Sequence, residues 1–148
     1  MVDVIRSTVI ENSSVLSEWK QPLIHPEMVE QFDIYRSTDN SNFYFITSVP
    51  SVQTDFMDYT VDVQNEKYFY KILVINTCDI GEDLSGLTST VLLTGEMDET
   101  HRVYLKWSSY DGWENGVEYY IIEMIDENGN WQLIRQVDGN ILKHDFQE

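Results

Sequence analysis

Five core-type residues recur at one constant offset of 88 positions. Trp19 is matched by Trp107, Phe32 by Tyr120, Phe43 by Trp131, Ile46 by Ile134 and Val49 by Val137. Asp55-Phe56 then matches Asp145-Phe146, with two extra residues in the second copy. An offset that preserves aromatic and aliphatic character at five positions marks a structural unit used twice. After Phe56 the first copy continues through Tyr68 to Leu93, whereas only Gln147 and Glu148 follow Phe146. The chain is therefore expected to hold one complete module, residues 1–94, and the N-terminal part of a second, residues 95–148, with its last two strands missing. On that reading it is a piece of a longer protein.

Within each copy the apolar residues alternate. Val103, Leu105 and Trp107 are separated by Tyr104 and Lys106, and Tyr68, Tyr70, Ile72 and Val74 share one face over seven positions. A period of two is the signature of half-buried strands, and no stretch of helical length shows a period of 3.6. Turn chemistry bounds the runs: residues 37–42 are Ser, Thr, Asp and Asn, and Asn128-Gly129 supplies the positive φ that a hairpin needs. The pattern predicts strands near 4–10, 14–20, 31–37, 43–49, 53–58, 67–76 and 87–93. In the second copy it predicts 102–107, 118–125, 131–137 and 142–146, and Thr94–Thr100 reads as a short joint between modules. Short strands with regularly spaced turns predict an all-β fold, an antiparallel β-sandwich.

Charge narrows the partners. The 148 residues carry 26 acidic and 9 basic side chains, a net charge of −17 divided almost evenly between the two halves. Such a surface repels phosphate backbones and anionic lipid, which argues against nucleic-acid binding and membrane docking. No apolar run is long enough for membrane insertion, and residues 1–11 lack the apolar stretch of a secretory signal. Cys78 is the single cysteine, so no internal disulfide forms. It reads as a small thiol in a strand-end loop, or as one whose partner lies outside the fragment.

These residues resemble the fibronectin type III family, an Ig-like sandwich. That family carries a Trp late in its second strand. Its sixth strand alternates tyrosine, aromatic and aliphatic residues and ends in Asn, here Tyr68, Tyr70, Ile72, Val74 and Asn76, followed by Gly81 and Ser85. The resemblance implies that Trp19 and Trp107 fill core slots. It also implies that the Tyr68 hydroxyl bonds back to the preceding connection and pins the crossover between sheets. The Val-x-Leu-x-Trp pattern is met by Val103-Leu105-Trp107. The first copy has Ser17 at the middle position, which costs stability unless its hydroxyl is bonded, or else shifts the register through Leu16. The 76–81 loop is two residues longer than the family's usual one. The spacing of Trp107, Tyr110, Trp113, Gly116, Val117 and Tyr120, with the 76–79 and 85–93 segments, also looks like tandem repeats in surface proteins of gliding bacteria that end in a gliding-motility-type sorting domain.

Candidate chemistry is sparse. His25, His101 and His144 stand at no metal-ligand spacing and read as surface histidines in loops or strand ends. The many carboxylates make chance pairs, but a small sandwich offers no cleft in which two would work as a glycosidase pair. Asp126-Glu127-Asn128-Gly129-Asn130 and Asp138-Gly139-Asn140 read as hairpin turns rather than calcium loops, since the EF-hand spacing is not met. Tyr110, Trp113 and Tyr119 gather in the loop and strand start after the second strand of the second module, as possible ligand contacts or as packing, while Tyr120 belongs to the core. No phosphate loop or nucleophile elbow occurs. The expectation is no catalytic residue, no metal and no cofactor. The chain is read as a non-catalytic spacer or protein-interaction module of a larger secreted or cell-surface protein, related to adhesion or gliding. The alternative is a carbohydrate- or ligand-binding accessory module of a secreted hydrolase. Expected partners are the neighbouring domains of the same polypeptide, a protein or glycan ligand, and a second copy of the chain through the incomplete module.

Overall fold

Alternation of apolar and polar residues is realised as twelve strands in a computed structural model that describes residues 3–23, 25–77 and 85–147. Cys78, Asp79 and Gly81 lie outside the described residues, and so do the readings placed on them. The strands are β1 Val4–Ile10, β2 Ser14–Trp19, β3 Val29–Ser37, β4 Tyr44–Pro50, β5 Asp55–Asp58, β6 Phe69–Asn76 and β7 Thr88–Ser89, then β8 Leu93–Met97, β9 Arg102–Trp107, β10 Tyr119–Ile125, β11 Trp131–Asp138 and β12 Lys143–Gln147. One 3-10 turn, Pro26–Met28, precedes β3. The chain divides into two units, Met1–Leu92 with Tyr110–Gly112, and Leu93–Ser109 with Trp113–Glu148.

In the first unit β1-β2-β5 form one antiparallel sheet and β4-β3-β6-β7 the other. Inward residues of both sheets share one core: Val15 and Trp19 from β2, Phe32 and Ile34 from β3, Val49 from β4, and Tyr70 and Ile72 from β6, with Tyr68 and Val63 beside them and Val74 at the margin. This is the strand order of a fibronectin type III-like β-sandwich. Trp19 is 2% exposed and meets the edge of Phe32 with centroids 5.5 Å apart. That geometry adds about 0.5–1.5 kcal/mol to the area it buries. The Tyr68 hydroxyl accepts the Asp62 amide at 2.8 Å, tying the connection to the start of β6.

The expected strand over 87–93 shortens to Thr88–Ser89 because hydroxyls replace part of its ladder. Ser85 Oγ accepts the Ile72 amide at 2.7 Å, and Thr90 Oγ1 accepts the Tyr68 amide at 2.9 Å. The expected joint at Thr94–Thr100 is also displaced, because Leu93–Met97 is itself β8 and pairs with β9 from Leu93↔Trp107 to Met97↔Val103.

The second unit holds a β12-β9-β8 sheet and a β10-β11 pair. The β10-β11 pairing repeats that of β3-β4 residue by residue. Gln31↔Pro50 becomes Tyr119↔Asp138, Phe32↔Val49 becomes Tyr120↔Val137, and Arg36↔Tyr44 becomes Met124↔Gln132. Even the β-bulge recurs at the same offset, between Ile34 and Tyr35 and between Ile122 and Glu123. Trp107, 6% exposed, meets Tyr120 edge-on at 5.7 Å, as Trp19 meets Phe32. The offset holds into the last strand, which corrects the two-residue insertion. Phe56 faces Ser17 and His144 faces Leu105, while Phe146 faces Val103 where Asp58 faces Val15. The shared Asp-Phe dipeptide misleads, because strand position is set by backbone pairing and not by identity.

Ser17 keeps the plain register and is fully buried, its hydroxyl 2.7 Å from that of Ser7. At the same two places the second unit has Gly95 opposite Leu105, and a Cβ on Gly95 would stand 3.1 Å from Leu105 Cδ2. Two small hydroxyls in one unit thus fill the space that one large and one absent side chain fill in the other. Ser17→Leu alone should cost about 1–3 kcal/mol through crowding and the orphaned Ser7 hydroxyl. Adding Ser7→Gly should recover part of that loss in urea unfolding. A double variant no more stable than Ser17→Leu would refute the equivalence.

Candidate functional site

The most elaborate polar constellation was not singled out by sequence and lies inside the first unit. Asp58, at the end of β5, is 1% exposed. Its Oδ1 accepts the Thr60 amide and the Thr60 hydroxyl, each at 2.8 Å. Its Oδ2 accepts Arg36 Nη1 at 2.7 Å and the Tyr70 hydroxyl at 3.0 Å. Arg36 also donates to the Thr60 carbonyl, and its guanidinium lies over the Tyr68 ring, 5.2 Å from the centroid. Four donors occupy the four acceptor directions of the carboxylate, which leaves none for a substrate or a metal. The arrangement is a staple between β3, β5 and β6, not a reacting centre.

The electrostatics agree with that role. Burial works to raise the Asp58 carboxyl, but the Thr60 amide and hydroxyl and the Arg36 guanidinium override it, and the group sits below its ordinary range. The Tyr70 phenol is pushed well up, first by burial and then by the Asp58 charge.

Trp19, Tyr68, Tyr70, Ile72 and Trp107 are buried and Val74 is half-buried. The three candidate contact residues are divided between the units. Tyr110 folds with the first, where its hydroxyl lies 2.7 Å from Thr88 Oγ1 and burial raises its phenol. Its neighbours continue the attachment to β7: the Asp111 amide donates to Ser89 Oγ at 2.7 Å and its carboxylate pairs with Lys67. Gly112 has φ +140, and a Cβ there would sit 2.3 Å from the Leu87 carbonyl oxygen, so only glycine fits this approach. Trp113 and Tyr119 belong to the second unit and are 49% and 45% exposed.

Two acidic turns are occupied by their own neighbours. Asp126 Oδ1 accepts the amides of Asn128 and Asn130, each at 2.9 Å, and the Asn130 amide does most to hold that carboxyl low. Asp98 is lowered to about 2, first by the Thr100 hydroxyl, in the β8–β9 turn. Among the described residues no group of three His, Cys, Asp or Glu stands where it could hold a metal ion. His25 bonds Glu27 at 3.1 Å in an exposed turn, and His101 is exposed with φ 62. His144 is not at a strand end but inside β12, stacked with Phe146 at 6.3 Å.

No protein-family model and no curated protein matches the chain. The narrower likeness to surface proteins of gliding bacteria and their sorting domain therefore finds no support there. Solved structures do show similarity. A pectate lyase, Pel3 of Pectobacterium carotovorum, is 20% identical with TM-score 0.49 over 59% of this chain and 26% of its own. A two-domain fibronectin type III segment of chicken tenascin is 13% identical with TM-score 0.41 over 99% of this chain and 81% of its own. Fibronectin domains 1–3 of chicken CNTN1 give 12% identity and TM-score 0.46 over 98% of this chain and 52% of theirs. The chain thus spans about a quarter of the length of the pectate lyase. At these values the fold assignment rests on the chain's own strand order and register.

The depressed Asp58 carboxyl has a consequence for pH. The charge it contributes to folding is fully present above the ordinary carboxylate value of about 4 and is lost as pH falls through the lower folded value. Asp58→Asn should therefore cost about 3–5 kcal/mol at pH 7, because Arg36 loses its partner in a buried setting. Against wild type, that difference should shrink as urea unfolding is repeated at pH 4 and pH 3. A difference independent of pH would contradict the assignment.

Proposed function

We propose that the chain is a non-catalytic spacer and protein-interaction module of a larger extracellular or cell-surface protein. The observation that carries this reading is the repeated scaffold: the same pairings and the same bulge recur at a fixed offset, with an aromatic-filled slot in each unit. Reuse of one scaffold suits a protein whose task is to span distance and present edges and loops. The buried Asp58 carboxylate is saturated by structural bonds. The strongly negative surface suits a soluble spacer that repels its like.

A spacer must hold its length under load. Pulled from its two ends in single-molecule force spectroscopy, the first unit should unfold in one all-or-none step. Release of its roughly 90 residues should add about 30 nm of contour length. Gradual extension without a force peak would overturn the spacer reading.

Exposure of Trp113 and Tyr119 favours a second reading, carbohydrate binding, because exposed aromatic faces stack on sugar rings. The spacer reading expects no signal on a glycan array. A saturable glycan signal abolished by Trp113→Ala would replace it with the accessory-module reading.

A further inference from the structure

Tyr110–Gly112 folds with the first unit but is set within the sequence of the second. Leu93–Ser109 precedes it and Trp113–Glu148 follows it, and both of those segments belong to the second unit. Ordering a short run away from its chain neighbours costs conformational entropy, so specific bonds must hold it. They are present at every position. The Tyr110 hydroxyl lies 2.7 Å from Thr88 Oγ1 of β7 and also receives the Ser7 amide of β1. The Asp111 amide donates to Ser89 Oγ of β7 at 2.7 Å. Its carboxylate pairs with Lys67, whose side chain is only 15% exposed, so solvent screens the pair little. Gly112 then lies so close to the Leu87 carbonyl that no Cβ fits.

The strands so joined are the ones that take up tension. β1 is the first strand of the first unit and β7 the last, and each stands at an end of its sheet. A pull along the chain enters the unit through them. Connectivity adds a second effect. While Tyr110–Gly112 is held on the first unit, a pull from the side of residue 148 reaches that unit through Trp113 and Gly112. Leu93–Ser109, which carries β8 and β9, is then a loop between two fixed points and bears no load.

We propose that Tyr110–Gly112 is a clasp that opens under load: it shields Leu93–Ser109 from tension and gives up that length before the first unit unfolds. A few polar links hold the clasp, whereas β3 alone is paired along two full ladders, so the clasp parts first. Its opening relaxes a sudden pull before either sheet of the first unit is torn. The inference rests on the spacer reading, since only a chain that bears load puts such a clasp to use.

The test is force spectroscopy on the full chain, held at residues 1 and 148. Trp113–Glu148, roughly 36 residues, should release up to about 12 nm of contour length. A separate step of up to about 6 nm should follow as the clasp opens and frees the roughly 17 residues of Leu93–Ser109. The first unit should unfold last. Tyr110→Phe keeps the ring and removes the hydroxyl, and Gly112→Ala drives a Cβ into the Leu87 carbonyl. Both should merge the two smaller steps into one and leave the step of the first unit in place. Without load, Tyr110→Phe should speed amide exchange at Ser7 and Asp111 by about tenfold, the scale of one hydrogen bond, with β3 and β6 unchanged. One undivided release of Leu93–Glu148 in the wild type, or a separate 6 nm step that persists in both variants, would overturn the clasp. Gradual extension of the first unit with the 6 nm step retained would count against the spacer reading alone.

Discussion

Burial of one indole against one aromatic ring from the facing sheet organises both units. Trp19 ends β2 and meets Phe32 of β3, and Trp107 ends β9 and meets Tyr120 of β10. Each indole joins a strand of one sheet to a strand of the other, so the separation of the sheets and the register of β2 and β9 depend on it. Both indole N–H groups are buried with no acceptor among the described residues. Leaving such a donor unsatisfied costs about 1–3 kcal/mol, and the size of the buried ring outweighs it. The same expense in both copies indicates that the slot is defined by shape rather than by hydrogen bonding.

Around that slot the two units solve one packing problem with different residues. Ser7 with Ser17, and Gly95 with Leu105, occupy equivalent positions between the first two strands. Asp58, held by four donors, stands where the second unit has Phe146, half-buried beside His144. Backbone pairing survives these exchanges because a ladder is made by amides and carbonyls, which every residue but proline supplies. Side chains then adapt to the space left over. This is why the offset of 88 holds in strand registers where sequence identity has vanished.

The two units differ in how far each core is covered among the described residues. The first closes its core with β6 and an abbreviated β7, beside which the Ser85 and Thr90 hydroxyls accept the Ile72 and Tyr68 amides. The second leaves β10 with one strand partner among the described residues and its apolar side chains half in water.

Much of the architecture was readable from residue order, since strand alternation depends on neighbours two positions apart. The strand sites follow from such local patterning and the repeat from its constant offset, whereas the tryptophan slots and the role of Tyr68 were what the family resemblance implied. What escaped depends on residues brought together from afar. Asp58 looks like any other acid until Arg36, Thr60 and Tyr70 converge on it from three segments. The mistaken insertion before Asp145-Phe146 arose because a dipeptide match carries no information on pairing. Tyr110 joined Trp113 and Tyr119 in sequence but not in the same unit, since Gly112 permits a backbone approach to β7 that no linear pattern announces. Local chemistry decided which segments became strands, and long-range packing decided which polar groups those strands would use up in holding the fold together.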